Sequence, residues 1–417
     1  MGDRTVAVIG GGVAGLTAAL ELARFGFQVD VIEKADFAGG HAIQFACKAT
    51  DQCVKCGACI VEEKLAQAIE DSAIRLLSGS RIEKISKSRT YEIKLTQKAV
   101  YIDARKCTAC GVCLEQCPED DAIIRGVSKS HSPFLIINEE TCRYMADQSC
   151  TRCRDECPEK AITLDSEPTR LSLEADAVIW ATGFSLFNPQ NKPYGYGIFK
   201  NVVTNLELEG IVRREGRAAR PSDGHTARSV AFIQCVGSRD AKLNHLWCSK
   251  FCCGAALRMA NLIRAREPQT AISFFYIDVQ TFGRDFEPVY RQVQEDVRMI
   301  RAVPGDIFQT EDGLLKVTFV DNDTHETVEE IFDLVVLSAG MQPCQENLDL
   351  AGQLNLQAGE SGFVAQAEGD DDLLNNGVFA AGAVAGPMSI AESIASAGEA
   401  VLKTLKYLTL IERNTLD

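Results

Sequence analysis

Residues 5–26 read TVAVIGGGVAGLTAALELARFG, and the order of residue types in that run decides the fold. An apolar, β-branched run stops at Gly10, glycines recur at Gly12 and Gly15, and apolar residues then repeat at helical spacing. The pattern predicts a strand, a tight turn and a helix. Gly10 allows the turn, Gly12 lets a pyrophosphate approach the backbone, and Gly15 lets helix pack on strand. The helix start at Val13 and Ala14 offers free N–H groups and positive potential to phosphates. A second strand, FQVDVIE at 27–33, ends in Glu33 about 20 residues after Gly12, where a carboxylate accepts from ribose hydroxyls. A solvated strand-end charge is the plainer alternative for Glu33. Lys34, Gly40 and His41 follow at the same end; His41 is the one histidine placed to touch a bound group, with a structural role as its alternative.

The rest of the 417-residue chain is too long for one ordinary core, so two or three domains are expected. Acidic residues outnumber basic ones, 58 to 43, and the resulting charge of −15 speaks against nucleic acid as a partner. The longest uncharged stretches, 5–20 and 377–391, are Gly-rich and shorter than the roughly 20 apolar residues of a membrane helix. A cytoplasmic protein without a membrane span is the expectation. The 17 cysteines then point to metal or redox chemistry, since disulfides do not persist in a reducing compartment.

Those cysteines fall into groups. Cys107, Cys110, Cys113 and Cys117, followed by Pro118, have the C-x2-C-x2-C-x3-C-P spacing of bacterial ferredoxins, in which three thiolates hold one [4Fe-4S] cluster and the fourth crosses to another. Cys142, Cys150, Cys153 and Cys157, followed by Pro158, form the second half with a longer first gap. The crossing rule assigns Cys107, Cys110, Cys113 and Cys157 to one cluster and Cys117, Cys142, Cys150 and Cys153 to the other. Zinc is the alternative, because it too takes four thiolates at C-x2-C spacing. Cys47, Cys53, Cys56 and Cys59 suffice for a third cluster, unless Cys47 is a core residue. Cys235, Cys248, Cys252 and Cys253 form a fourth group, in which Gly254 is expected to permit a sharp turn after the adjacent pair; a core or free-dithiol reading stays open. Cys344 is left over and reads as core, with a redox thiol as the alternative. The run Arg213, Arg214, Arg217 and Arg220 reads as a solvated face, with partner docking as the minority reading.

Two further segments fit the opening motif. ADAVIWATGF at 175–184 is an apolar strand ending at Thr182 and Gly183, and GVFAAGA at 377–383 halts at Gly382 and Ala383, where a ligand could approach. Ser389 and Glu392 then have capping-box spacing at the start of an apolar helix, whose N-terminus, with Ser389 and Ile390, could lie near a flavin ring. The arrangement resembles the two-dinucleotide-binding-domain flavoproteins of thioredoxin reductase type. That resemblance implies an α/β fold with FAD, here carrying an inserted ferredoxin-like α+β domain. In that family the position of Ala383 is an Asp that binds ribitol, so this contact is lost or moved. The second nucleotide domain should open with its own Gly-rich turn, but SVAFIQCVGSRD at 229–240 leads into the fourth cysteine group instead. TAISFFYI at 270–277, 314–320 and IFDLVVLSAG at 331–340 supply the other strand-like runs of that domain.

The motifs QCVGSR, W-C-S-x-x-C-C-G and G-P-x-x-I-A-E-S-I-A-S-A make the chain similar to the A subunit of heterodisulfide reductases. The resemblance implies that the fourth group ligates a [4Fe-4S] cluster close to FAD, giving three to four clusters in all. Compact length and the run CVKCGACIVEEKL look most like the A subunit of quinone-interacting membrane-bound oxidoreductase complexes. From this likeness follow other complex subunits as partners, adenylylsulfate reductase among the soluble ones, and a place beside the inner membrane reached through a partner. The expected division is an FAD domain from 1–99, 166–205 and 331–417, a ferredoxin-like insert at 100–165, and a degenerate nucleotide-type domain at 206–330. Three functions compete: an FAD and iron-sulfur electron-transfer subunit, a nicotinamide-dependent reductase, and a non-catalytic scaffold. A heterodisulfide reductase-type bifurcating subunit is a variant of the first.

Overall fold

The computed structural model describes residues 4–103, 105–125, 135–280, 286–322, 324–354, 356, 359–364 and 376–416. One architectural plan occurs twice. In the first unit, five parallel strands lie in the order Val378–Ala380, Ala177–Trp180, Thr5–Ile9, Gln28–Ile32 and Ile74–Leu77. The central strands are apolar because both faces are covered: Val6, Val8, Ala177, Val178, Ile179 and Trp180 are fully buried. The helix Val13–Arg24 covers one face and packs on the C-terminal helix Ile390–Leu416. An antiparallel sheet of Ser80–Lys87, Tyr91–Gln97 and Thr169–Ala175 completes the unit.

The second unit repeats this plan. Five parallel strands run Val202–Thr204, Leu334–Ala339, Ser229–Val236, Ala271–Phe275 and Arg298–Ile300, beside an antiparallel sheet of Asp306–Gln309, Leu315–Val320 and Thr327–Phe332. Here the structure departs from the expected division. Val202–Thr204 and Leu334–Ala339 pair inside the second sheet, so that sheet reaches outside 206–330 on both sides. The run expected as one strand over 331–340 is two, broken at Asp333, whose carboxylate accepts from the Ser229 N–H and hydroxyl and from the Arg228 N–H. Apolar pattern identifies a strand but carries no information on which of two parallel sheets it joins.

Between the paired residues Gln97 and Thr169 the chain leaves the first unit and returns. The excursion holds the short helices Val112–Gln116, Arg143–Asp147 and Arg152–Asp155, a hairpin of Ile123–Arg125 with Leu135–Ile137, and a small core of its own. Cys113 and Cys153 belong to that core beside Ile102, Ile123, Leu135, Ile137, Ile162 and Leu164, so few apolar side chains hold it together without its thiols.

Candidate cofactor site

The opening motif forms the end of a cavity of about 1410 Å³ that runs between the two units. Gly10 has φ +107, and a Cβ there would lie 2.3 Å from the Ala181 carbonyl oxygen. At Gly15 a Cβ would stand 1.9 Å from the Gly10 carbonyl oxygen, so these two glycines serve the packing of the chain on itself. Gly12 differs. Its nearest neighbour to an added Cβ is Gly40 Cα at 4.0 Å, which leaves an open cradle in front of a helix whose N-terminus has no side-chain cap. Val13 and Ala14 line the cavity there, as does Gly40 at φ +59. An orphan helix N-terminus facing such a cradle suits a phosphate.

Glu33 lines the same end. Its carboxylate accepts from the Gly11 N–H at 2.7 Å and the Ala35 N–H at 2.8 Å, so it braces the glycine loop as well as facing the cavity. Burial pushes its pKa above the ordinary value, against the lowering effect of those N–H groups. Lys34 pairs with Glu346 at 2.5 Å at the exposed rim. His41 bonds the Phe184 carbonyl through Nε2 at 2.9 Å, burial holds it below its usual pKa, and its buried Nδ1 has no partner among the described residues. Thr182, Gly183, Ala383, Ser389 and Ile390 are all on the wall. Gly382 sits behind it at φ +72, where a Cβ would come within 2.6 Å of Ala14 Cβ. The capping box forms: Glu392 N–H donates to Ser389 Oγ at 3.2 Å and Ser389 N–H to Glu392 Oε2 at 2.7 Å.

The thiols gather in fours. Cys117, Cys142, Cys150 and Cys153 line one small hollow beside Pro118. Burial raises the Cys107 thiol, with Cys157 and Cys110 adding to it from nearby. Burial likewise pushes Cys113 up to about 11, with Cys107 and Cys110 contributing. Cys157 thus lies beside Cys107, and Cys117 lies beside Cys142, Cys150 and Cys153. Cys59 has Cys47, Cys53 and Cys56 as electrostatic neighbours, and Cys47 is exposed, not core. Cys252 is held well above its ordinary pKa by burial and by Cys253, Cys235 and Cys248. Among the described residues no three His, Cys, Asp or Glu side chains converge tightly enough for a single metal ion.

Three expectations are corrected. The turn at the adjacent cysteines is not at Gly254, because Cys252 and Cys253 open the helix Cys252–Arg266. The chain folds back earlier, at Cys235, Gly237 and Arg239, all with positive φ. Arg213 is not on a solvated face: it donates to the carbonyls of Ile43 and Phe45 and pairs with Glu62 at 3.0 Å. Cys344 is not core, since it lines the cavity and accepts from Ser185 Oγ at 3.3 Å. The sequence reading also missed wall residues that come from afar. Lys48 and Glu209 form an ion pair at 2.6 Å with side chains 3% and 6% exposed, and Asn347 accepts from Thr182 Oγ1 at 2.7 Å. The one available signal was an acid on the apolar face of the helix Asn205–Glu215, between Leu208 and Val212.

Comparison with known proteins agrees with this geometry. A family described as an NAD(P)-binding Rossmann-like domain matches residues 8–63, and a 4Fe-4S binding domain matches residues 100–120. The A subunit of the H(2):CoB-CoM heterodisulfide,ferredoxin reductase of Methanothermobacter marburgensis is 32% identical over 96% of this chain and 63% of its own length. The iron-sulfur A subunit of the CoB–CoM heterodisulfide reductase of Methanocaldococcus jannaschii is 34% identical over 95% of this chain and 63% of its own. Over nearly its whole length the chain is similar to the A subunits of heterodisulfide reductases. It spans under two thirds of the length of these relatives. Thioredoxin reductases of T. acidophilum and Lactococcus lactis superpose with TM-scores of 0.56 and 0.55 at 15% identity, covering 98% of this heterodisulfide reductase-like chain and 100% and 99% of theirs. The fold is therefore thioredoxin reductase-like. No helix among the described residues is long and apolar enough to cross a membrane.

Proposed function

We propose that the chain is an oxidoreductase subunit that binds FAD and four [4Fe-4S] clusters and passes electrons between protein partners. One observation carries the reading: the cavity that begins at the Gly12 cradle and Glu33 ends at Cys56 and at Gly254 and Ala255, next to the ligands of two cysteine groups. FAD would supply exchange of electron pairs and each cluster exchange of single electrons. Gly12, Val13, Ala14, Glu33 and Gly40 would hold the dinucleotide, and the helix starting at Ile390 would direct its positive end toward the ring. The domain carrying FAD would be the three-piece first unit, and 100–165 its ferredoxin-like insert.

The nicotinamide alternative is weakened by what fills the second unit. At the end of the strand Ser229–Val236, a Cβ on Gly237 would fall 2.1 Å from the Phe187 ring, so aromatic packing occupies the place of a phosphate loop. The names of the relatives favour a second reading, a heterodisulfide reductase-type subunit that divides electron pairs between two acceptors. The finer proposal is that the chain links a membrane quinone module to adenylylsulfate reductase in the cytoplasm, joining the membrane through a partner. It is supported by sequence resemblance. Purification of the native complex with identification of attached subunits tests it. A quinone-module subunit is expected, and a stable association with heterodisulfide-cleaving subunits would favour the second reading.

A further inference from the structure

The fourth cysteine group is set in hydrogen-bond donors that the sequence spacing does not reveal. Lys250 N–H donates to Cys248 Sγ at 3.3 Å, and Gln280 N–H reaches the Cys253 sulfur. At Cys235 the neighbour is charged: the Arg239 guanidinium, locked on Asp278, lies close enough to act electrostatically on the sulfur four residues before it. The geometry that allows this is unusual, because Cys235 and Arg239 both take left-handed backbone, at φ +59 and +54, and curl the QCVGSR segment back on itself. Arg239 is also pinned. Its two terminal nitrogens donate to the two oxygens of Asp278 at 2.5 and 2.9 Å, and its N–H donates to the Trp247 carbonyl at 3.1 Å. Asp278 in turn accepts from Gln280 Nε2 at 2.8 Å, so one carboxylate orients the residues that meet Cys235 and Cys253.

We propose that Arg239 sets the reduction potential of the fourth cluster, its charge held against the Cys235 sulfur by Asp278. The inference rests on the reading that Cys235, Cys248, Cys252 and Cys253 hold a [4Fe-4S] cluster. Each reduction adds one electron and one negative charge to such a cluster. A fixed cation beside a ligand sulfur stabilises the reduced form more than the oxidised one and raises the potential. Arginine keeps its charge at any working pH and presents a rigid fork that a carboxylate can lock, which suits it to this task better than lysine. Asp278 is the positioning residue. Its own negative charge partly offsets the effect, and at Cys253 it acts more strongly than Arg239 does.

The test is an EPR-monitored redox titration of the anaerobically purified chain, with iron counted in each variant. Arg239→Gln keeps an amide donor but removes the charge, so at the wild-type midpoint the reduced-to-oxidised ratio is expected to fall about tenfold, or about 59 mV for one electron. Arg239→Lys should recover part of that shift. Asp278→Asn leaves an acceptor for the guanidinium and removes the countercharge, moving the midpoint the opposite way. A residue with a structural role alone would change iron content or melting temperature without moving midpoints in opposite directions. An unchanged midpoint in Arg239→Gln at full iron content overturns the proposal. If that variant does not assemble, an unchanged or negative shift in Asp278→Asn overturns it instead. Wild-type protein without the fourth cluster would overturn the functional reading itself, which iron counting reveals before any variant is titrated.

Discussion

Adding one carbon atom at Gly12 and at Gly15 asks two different questions of the same loop. At Gly12 no described residue lies within 4.0 Å of the added Cβ beyond Gly40 Cα, so Gly12→Ala should leave the apoprotein's melting temperature unchanged while lowering flavin retained after gel filtration. Gly15→Ala would place its Cβ 1.9 Å from a carbonyl oxygen and should destabilise the fold itself by about 1–3 kcal/mol, flavin or no flavin. Equal flavin loss and equal unfolding in both variants would contradict this separation. His41 gives a prediction in pH. Burial lowers its pKa below 6.5, so the unfolded chain takes up this proton first as pH falls. The stability due to neutral His41 is therefore present above the unfolded value and is lost as pH drops through the lowered one. In urea unfolding of the apoprotein, the advantage of wild type over His41→Gln should shrink between about pH 7 and pH 5; a constant difference would contradict it.

Elements show where local pattern informs and where it stops. The helix Asn205–Glu215 opens with a complete capping box, Glu207 N–H donating to Thr204 Oγ1 at 3.3 Å and Thr204 N–H to Glu207 Oε2 at 2.6 Å. Thr204→Ala should cost about 1 kcal/mol in urea unfolding. The same helix carries Glu209 and Arg213 against the segment that precedes Cys47, so the loss should also make a cluster on Cys47, Cys53, Cys56 and Cys59 easier to strip with a chelator. The strand–turn–helix of residues 5–24 and the capping box at Ser389 were legible because each is written in neighbouring residues. Lys48 against Glu209, or Asn347 against Thr182, was not legible. Such pairs join segments more than 150 residues apart, and no periodicity within either segment encodes the meeting. The helix start at Cys252 lay between these cases: the adjacent cysteines were conspicuous, but the turn that serves them is made by Cys235 and Arg239, residue types that local rules do not associate with left-handed backbone.

At the scale of the whole molecule, the fourfold grouping of thiols predicts about 16 iron atoms and one flavin per chain. Iron, sulfide and flavin analysis of anaerobic protein checks it; zinc in place of iron would remove the cluster reading. Cys252→Ser should take away about four of those irons and leave the ferredoxin-type spectra intact. Mixing the oxidised protein with NADH or NADPH in a stopped-flow instrument should leave the flavin absorbance unchanged, since Phe187 packs where a second phosphate loop would stand. Fast bleaching would bring the nicotinamide reading forward.

The register between Tyr91–Gln97 and Thr169–Ala175 has a bearing on how the protein is born. These strands pair in antiparallel register, yet the chain between Gln97 and Thr169 holds a small core of its own that includes its thiols. Zipping the strands before that core is compact means closing a long floppy loop, at an entropic cost on the order of 4 kcal/mol. Metal delivery shortens the effective loop before the strands meet, so maturation of the insert should hasten assembly of a sheet that the iron never touches. Refolding with and without iron and sulfide, followed by fluorescence of the buried Trp180, should show the slower rise in the metal-free chain.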